Sequence, residues 1–500
     1  MNFPDIVYLL PILSVGTGAV VLMLVSTVKF LSIKKLSYIT LIFLFLALIS
    51  NLITFGDMYS LYPYGKLFSK MLITDNFSDY FTSIILLGGI VTVLIGTHYF
   101  EQAEMLRGEL FSLLLFSIFG MLLLVISAEL LTTFIALEIA SISLYILIGF
   151  QKNDIKRVES SFRYLVLGSL AGVLFLLGVT LIYAGVGSTH ILDIGSYISS
   201  NSDTNKMLIV TGGTMILITF LFKIAAFPFQ NWSMDIYDGS PLPITAFMAS
   251  TFKVAIFGFI LRFVLIDFKL EKEIWNDILF YIIIFTLLYG SLLAIFQSSL
   301  KRMLAASSIV HTGYLLIAFV SISSLGESAA SSIIFYLIAY FLSAMGAFGM
   351  LSYISSDDHV RITYEDFRGF SHIRPYMAAM LSIFMLSLAG IPSTIGFIGK
   401  FYIFTGAIES GNYILAIAGI LATFASVYYY FKLIALMYFY PSPEMKGEIP
   451  PLHGIPPLVI ALMALAVIWG GVGNTLISYF PGVDFLIDNA KIAYESLFIN

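Results

Sequence analysis

Apolar runs of about 20 residues follow one another from one end of the chain to the other, with short polar interruptions between them. Each is long enough to cross about 30 Å of hydrocarbon as a helix. This recurrence limits the fold more than any other feature and reads as an all-α polytopic membrane protein. Composition agrees, since 59% of the 500 residues are hydrophobic and only 11% charged, whereas a soluble protein keeps about a quarter of its residues charged. Fourteen spans are expected, at approximately 6–27, 37–56, 80–99, 109–127, 129–150, 162–185, 207–228, 241–265, 275–298, 302–323, 331–354, 376–398, 411–438 and 455–476. The longest interruptions, at 57–79, 186–206, 355–375 and 439–454, leave no room for a sizeable soluble domain. The first run has almost no basic lead-in and no convincing small-residue cleavage site. It is therefore expected to remain as a helix and not to be removed as a signal peptide.

The basic residues supply an orientation. Connections after odd-numbered helices, with their flanks, carry 15 Lys and Arg, among them Lys29, Arg107, Arg157, Lys301, Arg361 and Lys446, while the other face carries 7, among them Arg262 and Lys269. Positive loops stay in the cytoplasm, so both termini are expected outside. No transit peptide is visible, which makes a bacterial plasma membrane the expected location. The net charge of −5 is thinly spread and points to no charged partner. Cysteine is absent, which excludes thiolate-bound iron–sulfur clusters, zinc-thiolate sites, disulfides and cysteine nucleophiles within this chain. Walker loops and GxGxxG sequences are absent too, so no nucleotide site and no nucleic-acid partner are expected.

Three of the 25 basic residues belong to no loop: Lys223, Lys253 and Lys400. Lys253, in PLPITAFMASTFKVAIFGFILRF, lies about ten residues from a polar boundary on either side, roughly 15 Å at helical rise. Lys400 is about ten residues from the nearest charge, Glu409. Lys223, in FLFKIAAFPFQNW, is roughly 12 Å from Asn231. Glu138 is an acid placed centrally in LLTTFIALEIASISLYILIGF. At any one position a snorkelling lysine or a protonated acid used for packing is the plain alternative. A charge at a helix centre costs about 2.5–3.5 kcal/mol on insertion scales. Four such charges point to a functional interior pathway.

The chemistry suits proton movement. Burial favours a neutral amine, and a nearby carboxylate restores the ammonium. At an effective dielectric of about 20, a unit charge about 10 Å away contributes roughly 1.7 kcal/mol, enough to switch such a group. A row of them can pass protonation changes along, titrating as a set. Two prolines add to the pattern. Pro228 follows Lys223, and Pro392 precedes Lys400 in AGIPSTIGFIGK. A proline inside a membrane helix frees a carbonyl and breaks the run, and interrupted helices in corresponding halves mark transporters built from repeats. In KRMLAASSIVHTGYLLIAF, Ser307, His311 and Tyr314 share one helix face. They could hold a proton wire with His311 as relay, or form a hydrogen-bonded helix contact. Glu129, at the start of the fifth helix, reads as an interfacial charge.

Together these segments resemble the N-type antiporter-like subunit of the proton-pumping NADH–quinone oxidoreductase, respiratory complex I, most strongly from about 129 to 440. The resemblance is carried by the Glu138 segment, by ESSFRYLVLGSLAGVLFLLGVTLIYAGVGST, by FKIAAFPFQNWSMDIYDGSPLPITAFMASTFKVAIF, by LKRMLAASSIVHTGYLLIAF and by LAGIPSTIGFIGKFYIF. The Asp235–Gly239 segment and a lysine at 400 favour the N type over its M-type sibling. Arg163 stands where a lysine is more usual, and Gln230 where histidine is frequent, which puts proton uptake through that histidine in question.

The resemblance implies two inverted five-helix repeats with helices 7 and 12 broken: N-terminal helices in 1–108, repeats in 109–265 and 275–438, and a last helix and tail in 439–500. It implies Glu138 and Lys223 as a switchable input pair, Lys253 as central relay and Lys400 as the group exchanging protons toward the outside. FMN, iron–sulfur clusters and quinone would reside in partner subunits, with M-type and K-type neighbours and lipid around this chain. A subunit of a multisubunit cation/proton antiporter or of a membrane-bound hydrogenase is the alternative with the same core.

Overall fold

The computed structural model describes residues 3–27, 32–54, 66–68, 70–103, 105, 108–200, 205–266, 272–355, 362–441, 454–476 and 482–497. Of the loop bases used for orientation, Lys29, Arg107, Lys269, Arg361 and Lys446 lie outside the described residues. Helices α1 (Phe3–Val25) and α2 (Ile33–Thr54) lead to a small antiparallel hairpin, β1 (Lys66–Leu67) and β2 (Leu72–Ile73). Then come α3 (Asn76–Gln102), α4 (Glu109–Ile126), α5 (Leu130–Ile148), α6 (Ile155–Val186) and the short α7 (Ile191–Ser200). The seventh membrane segment is split into α8 (Lys206–Lys223) and α9 (Asn231–Gly239). The eighth runs as α10 (Leu242–Phe247), a π-helical turn (Met248–Phe252) and α11 (Lys253–Ile266). Next are α12 (Lys272–Ile295), α13 (Leu300–Leu325), α14 (Glu327–Ile354) and the short α15 (Phe370–Ile373). The twelfth segment is split into α16 (Pro375–Ala389) and α17 (Ile395–Glu409), and α18 (Tyr413–Phe439), α19 (Ile455–Leu476) and α20 (Val483–Ser496) complete the chain.

Among the described residues, 13 helices or continuous helical segments are long and apolar enough to cross a membrane, and the α16–α17 pair supplies the remaining expected span. Three boundaries differ most from expectation. The sixth helix starts at Ile155, ahead of 162, the seventh stops at Lys223, short of 228, and the twelfth passes through its break to 409, well beyond 398. Two amphipathic helices, α7 and α20, occupy stretches expected to be polar connection and tail.

The bundle is sorted by exposure. Nearly all of α13 and of the Leu242–Val264 segment is buried, whereas α1, α2, α12, α18 and α19 turn most of their apolar surface outward, as helices facing lipid do. α6 and α8 approach backbone to backbone: a Cβ on Gly178 would sit 2.6 Å from the Gly212 carbonyl, and one on Gly212 would sit 2.6 Å from that of Gly178. Small residues at that crossing let the helices close without a hydrophobic driving force, which lipid removes.

Three basic residues counted with the loops are interior. Arg157, Arg262 and Lys301 are each at most 2% exposed. Arg262 makes a two-pronged pair with Asp75, at 2.8 and 2.7 Å. Lys301 donates to the carbonyl of Ser240, at the end of α9. Glu129, expected as an interfacial charge, is the N-cap of α5: its carboxylate accepts from the Thr132 amide at 2.6 Å and the Thr132 hydroxyl at 2.7 Å. A carboxylate there satisfies donors that the first helical turn leaves free.

Both breaks have local causes and compensated backbones. Around the first, Pro228 restricts Phe227, and Ala225 takes a left-handed conformation at φ 57. Trp232 donates its indole N–H to the Phe222 carbonyl at 2.9 Å, and the Phe227 amide donates to the Thr286 hydroxyl at 2.9 Å. Around the second, Gly390 (φ 81) and Ser393 (φ 74) are left-handed on either side of Pro392. Non-helical backbone at membrane depth survives only where protein groups satisfy it, as they do here.

Candidate functional site

Lys223 is the last residue of α8, so its side chain leaves the bundle axis at the break itself. The ammonium donates to Ser141 Oγ at 2.8 Å and to the Tyr145 hydroxyl at 3.4 Å, both on α5. Glu138 lies one turn earlier on α5, half-buried, with its carboxylate against Gly172 of α6. It lies near enough to feel the charge of Lys223, with no ion-pair contact between them among the described residues. Ser141, three residues after Glu138, takes the contact with the lysine.

Lys253 is placed by the π-helical turn that ends just before it. Such single π turns recur at functional positions because they re-aim one side chain. Its ammonium donates to the Ser308 carbonyl at 2.9 Å, Ser308 Oγ at 2.6 Å and Thr312 Oγ1 at 3.0 Å, all on α13. It also lies 5.1 Å from the centre of the Tyr340 ring. Thr312 Oγ1 is in turn 2.9 Å from the carbonyl of Ile224, the residue after Lys223. The two lysines are therefore joined through one hydroxyl and one backbone step.

His311 sits in a cage of tyrosines. Its Nδ1 is 2.6 Å from the Tyr336 hydroxyl and its Nε2 3.3 Å from that of Tyr430. Its ring is 4.8 Å from Tyr340 and 5.6 Å, edge to face, from Tyr314. Lys400 closes the series. It lies 4.8 Å over the Tyr314 ring and donates to the carbonyls of Leu388 at 2.8 Å and Ala389 at 3.1 Å. Those are the last carbonyls of α16, the negative end of a half-helix, which suits a cation. Ser307 turns back to the Leu304 carbonyl at 2.8 Å.

All four expected cationic or relay residues, Lys223, Lys253, His311 and Lys400, thus lie on one buried line. Among the described residues none of the three lysines has a carboxylate within ion-pair distance. Their partners are hydroxyls, carbonyls and ring faces, a shell that holds an ammonium without pinning it as a buried ion pair would. Sequence reasoning missed the residues that make the line continuous: Ser141, Tyr145, Ser308, Thr312, Tyr336, Tyr340 and Tyr430. Ser308 and Thr312 were within reach, because they are spaced i, i+4 on the face beside Ser307 and His311.

At one end of the bundle Asp235 and Asp238 of α9 meet Arg163 (3.2 Å), Lys156 (2.9 Å) and Arg302 (3.3 Å). At the other, a cavity of about 520 Å³ opens between α14, α17 and α20, lined by Glu327, Ser332, Tyr402, Asp484, Asp488 and Lys491 among others. No group of three or more His, Cys, Asp or Glu side chains gathers as a metal site among the described residues.

Residues 127–426 match the family model described as "NADH:quinone oxidoreductase/Mrp antiporter, TM". In three dimensions the chain is similar to one in respiratory complex I from Thermus thermophilus, with a TM-score of 0.75, 29% identity, and 93% of this chain and 98% of that one covered. It is also similar to a chain of the Mrp complex from Dietzia, with a TM-score of 0.82 over 100% of this chain and 98% of that one, where 17% identity speaks for the fold alone. The NADH-quinone oxidoreductase subunit N of Trichlorobacter lovleyi is 39% identical over 80% of this chain and 81% of its own length. With the broken helices, the buried lysines and this likeness in agreement, the chain belongs to the NADH-quinone oxidoreductase subunit N family.

Proposed function

We propose that this chain carries protons across the membrane along the line from Glu138 and Lys223 through Lys253 and His311 to Lys400, driven by quinone reduction in partner subunits of a proton-pumping NADH–quinone oxidoreductase. The observation that carries this reading is the run of hydrogen bonds, ring contacts and one backbone step that joins four buried cationic or relay side chains, strung between two broken helices. Glu138 biases Lys223 through its charge, Lys253 relays, His311 bridges two tyrosine hydroxyls, and Lys400 exchanges protons toward the far side. The cavity between α14, α17 and α20 is consistent with that last role, since Tyr402 in its lining belongs to α17, the helix that carries Lys400. Gln230 is buried and has no titratable group, so uptake is assigned to Glu138 and Lys223.

The repeats would span 109–265 and 275–438, flanked by 1–108 and 439–500. The face bearing Asp235 and Asp238 would meet the cytoplasm, with both termini outside, in a bacterial plasma membrane. M-type and K-type subunits and lipid would surround the chain, and FMN, iron–sulfur clusters and quinone would belong to the partner subunits.

The test is Lys223→Ala in membranes whose complex is checked for assembly on a native gel. Proton pumping and electron transfer are both expected to fall at least about tenfold. If both persist at the unsubstituted level, Lys223 is only a structural contact to α5 and the proton line is broken at its start. A second expectation concerns Lys400. Gly390 has φ +81, and a Cβ there would meet Lys400 Cδ at 2.8 Å. Gly390→Ala should therefore push the ammonium off its carbonyls and lower coupled turnover several-fold. Gly411 has the same φ with nothing within 4 Å. Gly411→Ala should share the backbone penalty of about 1–2 kcal/mol yet leave turnover nearly unchanged in the same assay.

A further inference from the structure

We propose that Thr312 is a positioning residue that reports the protonation of Lys253 to the helix break beside Lys223. This rests on the proton-carrying reading above and adds a coupling element to it. The geometry is specific. Thr312 Oγ1 lies 3.0 Å from the Lys253 ammonium, 2.9 Å from the Ile224 carbonyl and 3.2 Å from the Ser308 carbonyl. A threonine hydroxyl has one proton to give, so it bonds one of these groups as donor at a time.

While Lys253 is charged, its ammonium donates to Oγ1, and the hydroxyl proton is directed to Ile224. That carbonyl is the one immediately beyond the end of α8, and a helix end leaves its last carbonyls in need of partners. Once Lys253 is neutral its nitrogen has a lone pair, which the hydroxyl proton of Thr312 can turn to meet. The Ile224 carbonyl then loses its donor, and the segment carrying Lys223 is freed to rearrange. Only hydrogen bonds are exchanged, and no proton leaves the threonine.

The titratable and charged groups that face this position are few. Tyr340 approaches Lys253 from α14, at 5.1 Å from its ring centre. Tyr237 reaches it from α9 through a hydrogen bond to Ser308. His311 precedes Thr312 on α13 and acts with Lys253 through charge. Lys223 stands at the end of α8 and meets Ser141 and Tyr145 of α5. Tyrosine hydroxyls on the Lys253 side cannot replace the threonine, because the bond to Ile224 belongs to Thr312.

The experiment compares Thr312→Val, Thr312→Ala and Thr312→Ser in membranes holding the assembled complex. Valine keeps the branched shape and removes the hydroxyl, whereas serine keeps the hydroxyl. Thr312→Val and Thr312→Ala are expected to lower coupled pumping at least fivefold, and Thr312→Ser to retain more than half. Adding Thr312→Val to Lys253→Met should cause no further loss, since the two act through one contact. The coupling role is overturned if Thr312→Val pumps normally, or if Thr312→Ser is as impaired as Thr312→Val, which would make the residue a packing element. Lys253→Met alone separates the two layers. If it pumps normally, the proton-carrying reading itself fails. If it fails to pump while Thr312→Val is normal, only the coupling does.

Discussion

Lys253→Met is expected to stop proton pumping and quinone reduction together, by about a hundredfold, in a complex that still assembles. The side chain is 4% exposed and lies where the Lys223 and Lys400 halves of the line meet. Methionine is unbranched and of similar length, so the cavity around it is refilled without strain. Little is orphaned by the change. Ser308 and Thr312 keep their own hydroxyl protons, and the Ser308 carbonyl lies inside α13, where the helix's own backbone ladder supplies a donor. The loss should therefore appear in turnover and leave stability nearly untouched, as read by a native gel beside a pumping assay in closed vesicles.

Lys253→Arg sharpens this result. It preserves a buried positive charge, but a guanidinium does not release its proton at working pH. If Lys253 were a static counter-charge, arginine would restore activity. As a proton relay it is expected to fail nearly as completely as methionine. Arginine at wild-type activity with methionine inactive would transfer the role from proton exchange to fixed charge.

What the chain shows before folding is uneven, for physical reasons. Lys223, Lys253, Lys400 and Glu138 were legible because an ionisable side chain is an exception in an apolar run, and each exception costs free energy. The two breaks were legible through Pro228 and Pro392, but their edges were not. α8 ends five residues before Pro228, where Ala225 turns left-handed. A count of apolar residues cannot see a helix restart either, so the twelfth span was closed at 398 and Lys400 fell outside a segment that contains it. The neutral partners were hidden for another reason. Tyr336 and Tyr430 are ordinary residues of apolar helices, separated from His311 by 25 and 119 positions. Only packing makes them ligands of one imidazole. The resemblance to a family supplied roles for four positions and nothing about the tyrosine cage between them.

Arg262→Met should be the most damaging substitution for assembly, and Arg262 was read from the sequence as a base of a loop flank. The side chains of Arg262 and Asp75 are each 1% exposed, and the pair joins positions 187 apart in the chain. The guanidinium also donates through Nε to the Val125 carbonyl at 3.1 Å and lies 5.0 Å over the Phe77 ring. Asp75 does double duty, since its Oδ1 accepts from the Ser78 amide at 2.8 Å as the N-cap of α3. One contact thus fixes the end of α11 to the start of α3 and the end of α4. Removing the arginine leaves a buried carboxylate with only its capping bond, a loss of about 3–5 kcal/mol. The amount of assembled complex on a native gel should fall steeply, and what remains should inactivate at lower temperature. Asp75→Asn in the same chain keeps the cap and removes the stranded charge, so the double variant is expected to recover much of the lost assembly. Recovery would mean that the damage came from the unpaired charge. No recovery would place it in the lost contacts to Val125 and Phe77, and normal assembly of Arg262→Met alone would show that this end of the bundle is held by packing without the pair.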